Sequence, residues 1–254
     1  MAGAVDRLLR VVPPLRRSLD QVVAHAAAWD ARNAALLAGP QDGDPLWVVL
    51  GDSTAQAVGL PDVDDGYVGR VRRLLEQRQG RSWRVLNLSR SGARVVDLLQ
   101  VQLPRLAQLR EQGWRPDLVT AVVGGNDLRR TPLTALLGQL PELVGQVPDG
   151  TLLATLPQGI KQPRAEAANA LLRRLAAGRG LPLADVWTAT GPPWRGKYAD
   201  GLHPNAAGTS DWVAAVAAAL GLPAEVDPPR VAARTGARRR AAPGLGACRR
   251  RGPG

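Results

Sequence analysis

The sequence predicts an α/β protein built on a parallel sheet of about five strands. Apolar runs of strand length alternate with helical patterns, and Gly, Pro and Asp mark the changes between them. The strand-length runs are also short and continuously apolar, as strands buried on both faces should be.

Taken in order, the first element precedes the sheet. Ser18 to Gln21 has capping-box spacing, and Val22, Val23, Ala26, Trp29, Leu36 and Leu37 give a partly amphipathic helix ending near Gly39. Residues 1–44 therefore read as an amino-terminal helical extension. Strands are expected at Leu46 to Leu50, Arg84 to Leu88, Leu118 to Val123 and Thr151 to Thr155, with a weaker one near Pro182 to Val186. Helices are expected at Tyr67 to Gln79, at Val95 to Gln112 with a break at Pro104, at Pro132 to Val144 with a break at Pro141, and at Arg164 to Arg179. The segment Asn205 to Leu220 puts Val213, Val216, Ala217 and Leu220 on one face and closes a domain spanning residues 45–222.

Composition narrows the class of protein. The 254 residues, 45% of them hydrophobic, suffice for one sizeable core. The formal net charge is +11, but six of those charges lie from Pro223 onward, where eight arginines face only Glu225 and Asp227. That tail, residues 223–254, is rich in Pro, Gly, Ala and Arg without periodicity, and is expected to be disordered. Arginine makes up 31 of the 33 basic residues and phenylalanine is absent, a bias that resembles GC-rich coding more than a nucleic-acid surface. Cys248 is the only cysteine, which excludes an intramolecular disulfide and a cysteine metal site. Asp6, Arg7 and Arg10 interrupt the apolar stretch a signal peptide needs, and the apolar run Trp212 to Ala224 is too short to span a bilayer, so a cytoplasmic protein is expected.

The chemistry sits at the strand ends, where an open parallel sheet places its ligand crevice. The first strand runs into Gly51-Asp52-Ser53-Thr54, the second into Ser89-Arg-Ser-Gly92-Ala93, and the third into Gly124-Gly125-Asn126-Asp127. Asp200-Gly-Leu-His203-Pro204 supplies the one plausible base. With these four blocks in this order, the chain resembles the SGNH (GDSL-like) hydrolases, named for a Ser, a Gly, an Asn and a His on separate blocks; the resemblance covers about Leu46 to Leu220. It implies a three-layer α/β/α fold with a flavodoxin-like parallel sheet, and a serine esterase or lipase that needs no metal or cofactor.

The residue types fit that chemistry. A serine hydroxyl is a weak nucleophile and needs a base, and histidine, ordinarily titrating near pH ~6.5, can take its proton and return it to a leaving group. His203 is that base for Ser53, and Asp200, three residues earlier, is placed to orient the ring and stabilise its charge. Backbone N–H groups of Ser53 and Gly92 and the Asn126 amide are the expected oxyanion donors. Ser53 or His203 would also serve at a helix start, and Asn126 or Gly92 in a plain turn; it is their joint appearance that favours catalysis. Asp52 and Asp127 are assigned to local hydrogen bonding, and His25 to packing. The seven tryptophans are read as core, although Trp194 could line a pocket, and Leu60 to Gly66 and Gly191 to Ala199 are the expected pocket walls. The expected reaction is hydrolysis of a short-chain or acetyl ester through an acyl-enzyme. The competing reading is a catalytically silent module of the same fold whose basic tail, through Arg238 to Arg240 and Arg249 to Arg251, makes weak electrostatic contact with nucleic acid or an anionic surface. No specific nucleic-acid partner is expected, and the sequence does not give the oligomeric state.

Overall fold

The computed structural model describes residues 13–41 and 43–223. Most of the expected tail lies outside the described residues. Five strands, β1 (Leu46–Gly51), β2 (Arg84–Asn87), β3 (Leu118–Val122), β4 (Leu152–Ala154) and β5 (Leu183–Ala184), form one parallel sheet in the order β2-β1-β3-β4-β5. This is the flavodoxin-like order, in which the chain leaves β1 toward one edge and returns to its other side as β3. The carboxyl ends of β1 and β3 thus flank the switch point where such sheets bind ligands.

Alternation along β1 feeds two cores. Leu46, Val48 and Leu50 face one layer, formed by α4 (Leu103–Glu111), α6 (Leu133–Gln146) and α7 (Gln162–Gly178) through Leu106, Leu140, Leu172 and their neighbours. Trp47 and Val49 face the other layer, formed by α1 (Pro13–Ala38), α2 (Tyr67–Gln79) and α9 (Ala206–Ala219), where Trp29, Val71 and Val216 meet them. Helices on both faces explain why every residue of β1 is buried. The remaining helices, α3 (Val95–Asp97), α5 (Asp127–Arg130) and α8 (Val186–Ala189), are short turns that follow strands. No helix among the described residues is long and apolar enough to cross a membrane.

Three expectations need correction. Ser18 does not cap a helix: α1 is already running from Pro13, so Ser18 lies inside it and is buried. The break foreseen at Pro104 is a widened turn just before it, Leu98–Gln102, where the Leu103 N–H reaches back five residues to the Leu98 carbonyl. Proline lacks an N–H and its ring crowds the preceding turn, so the wide turn makes room and leaves Pro104 at the start of α4, where no donor is required. Pro141, in contrast, does not break α6. Its ring is exposed while Leu136, Leu140, Leu143 and Val144 stay buried, so packing of that face outweighs one lost helix bond on the solvent side.

Candidate active site

Ser53 stands two residues beyond β1 on a tight turn. Asp52 accepts the Thr54 N–H at 2.9 Å through its carboxylate and the Ala55 N–H at 3.1 Å through its carbonyl. The turn is anchored by Gly51, where a Cβ would come within 2.6 Å of the Val122 carbonyl, so the close pairing of β1 with β3 requires glycine there. The buried Gln102 amide, delivered by the wide turn, grips both backbone groups of Gly51: it accepts the N–H at 2.8 Å and donates to the carbonyl at 2.9 Å.

The histidine arrives from the other end of the chain. Asp200 Oδ1 accepts the N–H groups of Leu202 at 2.9 Å and His203 at 2.8 Å, folding the segment into a turn that carries the ring. Asn205 then caps α9 by accepting from Ala207 and Gly208, and Pro204 continues into that helix start. The His203 ring bridges the two halves of the site, with Nδ1 at 2.7 Å from Asp200 Oδ2 and Nε2 at 3.1 Å from Ser53 Oγ. With a carboxylate on one side and a hydroxyl on the other, Nδ1 carries the proton and donates to Asp200, and Nε2 accepts from Ser53. Burial alone would raise the Asp200 carboxyl, but hydrogen bonds from the His203 ring, the His203 backbone and the Ser18 hydroxyl hold it well below the usual carboxylate range. It is therefore an anion at any working pH.

The donors expected around the nucleophile are arranged as follows. Gly92 has φ +81°, a left-handed conformation that glycine adopts freely. Among the described residues, neither the Ser53 nor the Gly92 backbone N–H donates to a protein acceptor. The Asn126 amide donates to the Ala93 carbonyl at 3.0 Å and, in a long bond, to Asp52 Oδ2 at 3.5 Å, and Asn126 lines the cavity together with Asp52. Asp127 shapes the loop as expected, accepting from Val95 N at 2.9 Å and Thr131 Oγ1 at 2.7 Å. Asp52 is buried, which pushes its carboxyl up to about 6 against the opposing hydrogen bond from Thr54. His25 packs in the interior with Nδ1 at 3.1 Å from the Gln56 carbonyl.

Beside Ser53 and His203 lies a cavity of about 40 Å³ walled by Val122, Leu156, Ile160, Tyr198, Leu202 and Trp212. Two expected walls are placed differently. Leu60 to Gly66 does not line it; this stretch folds into a short 3-10 turn, Val63–Asp65, tied to α1 by the paired Arg32–Asp64 bonds at 2.8 and 2.9 Å. Trp194, 36% exposed, covers Gly159 instead, and the tryptophan on the cavity is Trp212. The loop after β4, Thr155 to Ile160, also lines the cavity; it obeys the same strand-end rule as the other three loops but carries no motif that marks it in the sequence. Gln102 and Gln56 belong to no motif, and nothing short of the fold marks them.

A five-stranded parallel sheet flanked by helices, with serine, histidine and aspartate brought together at its carboxyl edge, matches the α/β fold of the SGNH hydrolases. The GDSL-like lipase/acylhydrolase family matches residues 49–210, and the chain belongs to that family, which makes it a carboxylic ester hydrolase. Among solved structures, it is similar to TesA at 28% identity, with 69% of this chain and 97% of that one covered and a TM-score of 0.56. It is likewise similar to LAE5, an alpha/beta hydrolase enzyme from the metagenome of Lake Arreo, Spain, at 26% identity over 72% of this chain and 98% of that one, TM-score 0.55. The acetylxylan esterase Axe2 from Geobacillus stearothermophilus, 20% identical over 72% of this chain and 98% of that one with TM-score 0.56, shares the fold. No curated protein matches.

Proposed function

We propose that the protein hydrolyses short-chain carboxylic esters through an acyl-enzyme, with Ser53 as nucleophile, His203 as general base and acid, and Asp200 as its orienting anion. The observation that carries this is the continuous hydrogen-bonded line from Ser53 Oγ through His203 to Asp200, at 3.1 and 2.7 Å. As Ser53 Oγ bonds to the ester carbonyl carbon, its proton passes to His203 Nε2, and Asp200 stabilises the imidazolium that results. The carbonyl oxygen becomes an oxyanion facing the free N–H groups of Ser53 and Gly92 and the Asn126 amide, which exchanges its long 3.5 Å bond to Asp52 Oδ2 for the oxyanion. Collapse breaks the bond to the leaving alcohol, which takes the proton from Nε2. Water then repeats the sequence, releasing the carboxylic acid and restoring Ser53.

Cavity size supports a small acyl group. At about 40 Å³ it has room for some three water-sized groups, the bulk of an acetyl, within walls that are mostly apolar. The structural likeness to an acetylxylan esterase agrees with that size. Strain is also stored next to the nucleophile, since Ala57 has φ +67° where glycine would be at ease.

Two measurements test the reading. Ser53→Ala and His203→Ala should each remove nearly all turnover, and the double variant should be little worse, because nucleophile and base act as a unit. A series of p-nitrophenyl esters should show kcat/KM falling beyond butyrate. Substantial hydrolysis by folded Ser53→Ala would refute the acyl-enzyme, and a preference for long chains would refute the small acyl site.

A further inference from the structure

Helix α1 lies outside the family's matched segment, yet three of its residues, spaced one turn apart, reach into the loops that carry the site. Gln21 makes two bonds there: Oε1 accepts the Gly59 N–H at 3.0 Å and Nε2 donates to the Leu60 carbonyl at 2.8 Å. His25, one turn later, meets the Gln56 carbonyl at 3.1 Å, and Ser18, one turn earlier, is buried.

What Gln21 holds is in direct contact with the base. Gly59 has φ +101°, and a Cβ on it would come within 2.6 Å of the Pro204 carbonyl and 3.0 Å of His203 Cβ. Nothing separates its backbone from the histidine turn. A shift of the Gly59-Leu60 segment therefore moves the surface against which His203 is seated, and at the other end of the same loop it moves Ser53, whose carbonyl accepts from Val58 N. No other side-chain hydrogen bond among the described residues reaches the Gly59 N–H or the Leu60 carbonyl.

We infer that Gln21 is a positioning residue for hydrolysis: by clamping the Gly59-Leu60 dipeptide segment at both ends, through the Gly59 N–H and the Leu60 carbonyl, it fixes from α1 the seat of His203 and hence the Ser53–His203 hydrogen bond. The role acts on catalysis more than on binding, because Gln21 does not line the cavity. The inference rests on the triad reading above, and the two fail separately.

The test uses the full-length chain with Gln21→Leu, which keeps bulk but removes both bonds, and Gln21→Glu, which keeps the acceptor for Gly59 N–H. Gln21→Leu should lower kcat for p-nitrophenyl acetate about tenfold or more with KM within about twofold, since small misplacements of a catalytic group are costly. Gln21→Glu, which keeps one of the two bonds but sets its second carboxylate oxygen against the Leu60 carbonyl, should recover only part of that loss. The readout that plain destabilisation would not move is the ring itself. The sequence has 2 histidines, so the low-field Nδ1–H proton of His203 can be followed by NMR and assigned by its loss in His203→Ala. It should weaken by exchange in folded Gln21→Leu, and less so in Gln21→Glu. A folded Gln21→Leu with kcat within twofold of wild type overturns the inference, as does a rate loss with an unchanged His203 signal. If Ser53→Ala retains activity, it is the triad reading that falls.

Discussion

Replacing Asp52 by Asn should stabilise the protein at neutral and alkaline pH while leaving acid stability almost unchanged. Burial raises this carboxyl from 3.8 to about 6 in the folded chain, so the folded state resists losing a proton that the unfolded chain gives up readily. Below about pH 4 the group is neutral in both states and contributes no penalty. As pH rises from about 4 to 6 the unfolded chain ionises first, and folding stability falls; above about 6 the penalty is complete. Its size follows from the displacement, about two pH units at 1.36 kcal/mol each, or about 3 kcal/mol. For a domain of this length that is about 6 to 12 °C in Tm. Asparagine keeps the Thr54 N–H bond at 2.9 Å and gives up only the 3.5 Å contact with the Asn126 amide, so little is lost against the gain. Thermal melts of wild type and Asp52→Asn at half-unit steps from pH 4 to 8 measure the effect as a gap that opens with pH. Parallel curves across that range would refute the argument, because other carboxylates raised by burial, Asp127 among them, act equally in both proteins.

Removing the Asn126 amide by Asn126→Ala should lower kcat about 10² to 10³-fold with a smaller change in KM, as loss of one oxyanion donor does; steady-state kinetics on an acetate ester measures it. Asp200→Asn should be severe but milder than His203→Ala, since Asp200 orients the ring and stabilises its charge without taking the proton, and the same assay ranks the two. Gly59→Ala should cost more than about 1 kcal/mol in denaturant unfolding and at least tenfold in kcat, because φ is +101° and the new methyl would meet Pro204 O at 2.6 Å. A Gly59→Ala protein as active as wild type would show that the histidine turn can move aside freely.

The sheet was legible because its signal is local. Val48-Val-Leu and Leu118-Val-Thr-Ala-Val are apolar on both faces, and the small polar residues that follow mark where the ladder ends. The blocks of the proposed site were legible for the same reason: Ser53 and Asn126 follow strands, and Asp200 and His203 lie within one turn. The misreadings concern what distant residues decide. Ser18 has the spacing of a cap, but whether it caps depends on residues 13–17 continuing the helix, which Pro13 and Pro14 obscure. The pocket walls depend on which loops the sheet order brings together, and β4 stands beside β3 although some thirty residues separate them. Gln21 and Gln102 were illegible altogether, because each is defined by a contact across more than thirty positions.

A common device holds these loops. Strand ends leave peptide groups without ladder partners, and in a buried site each such group is costly unless it finds one. A primary amide presents one donor and one acceptor, as a peptide does, and can stand in for the missing strand. Gln102 does so for Gly51, Gln21 for Gly59 and Leu60, Asn33 for the N–H and carbonyl of Asn87, and Asn169 for the N–H and carbonyl of Leu156. Gln56 joins the Ser53 loop to the Ser89–Ser91 segment in the same manner. Carboxylates or guanidiniums could have filled single positions, but each would have added a fixed charge within a low-dielectric region that already holds Asp52, Asp200 and the ring of His203. Neutral braces leave the electrostatics to those three groups. The site can thus be rigid, as near-attack geometry requires, while the proton that the proposed mechanism moves between Ser53 and His203 answers chiefly to Asp200.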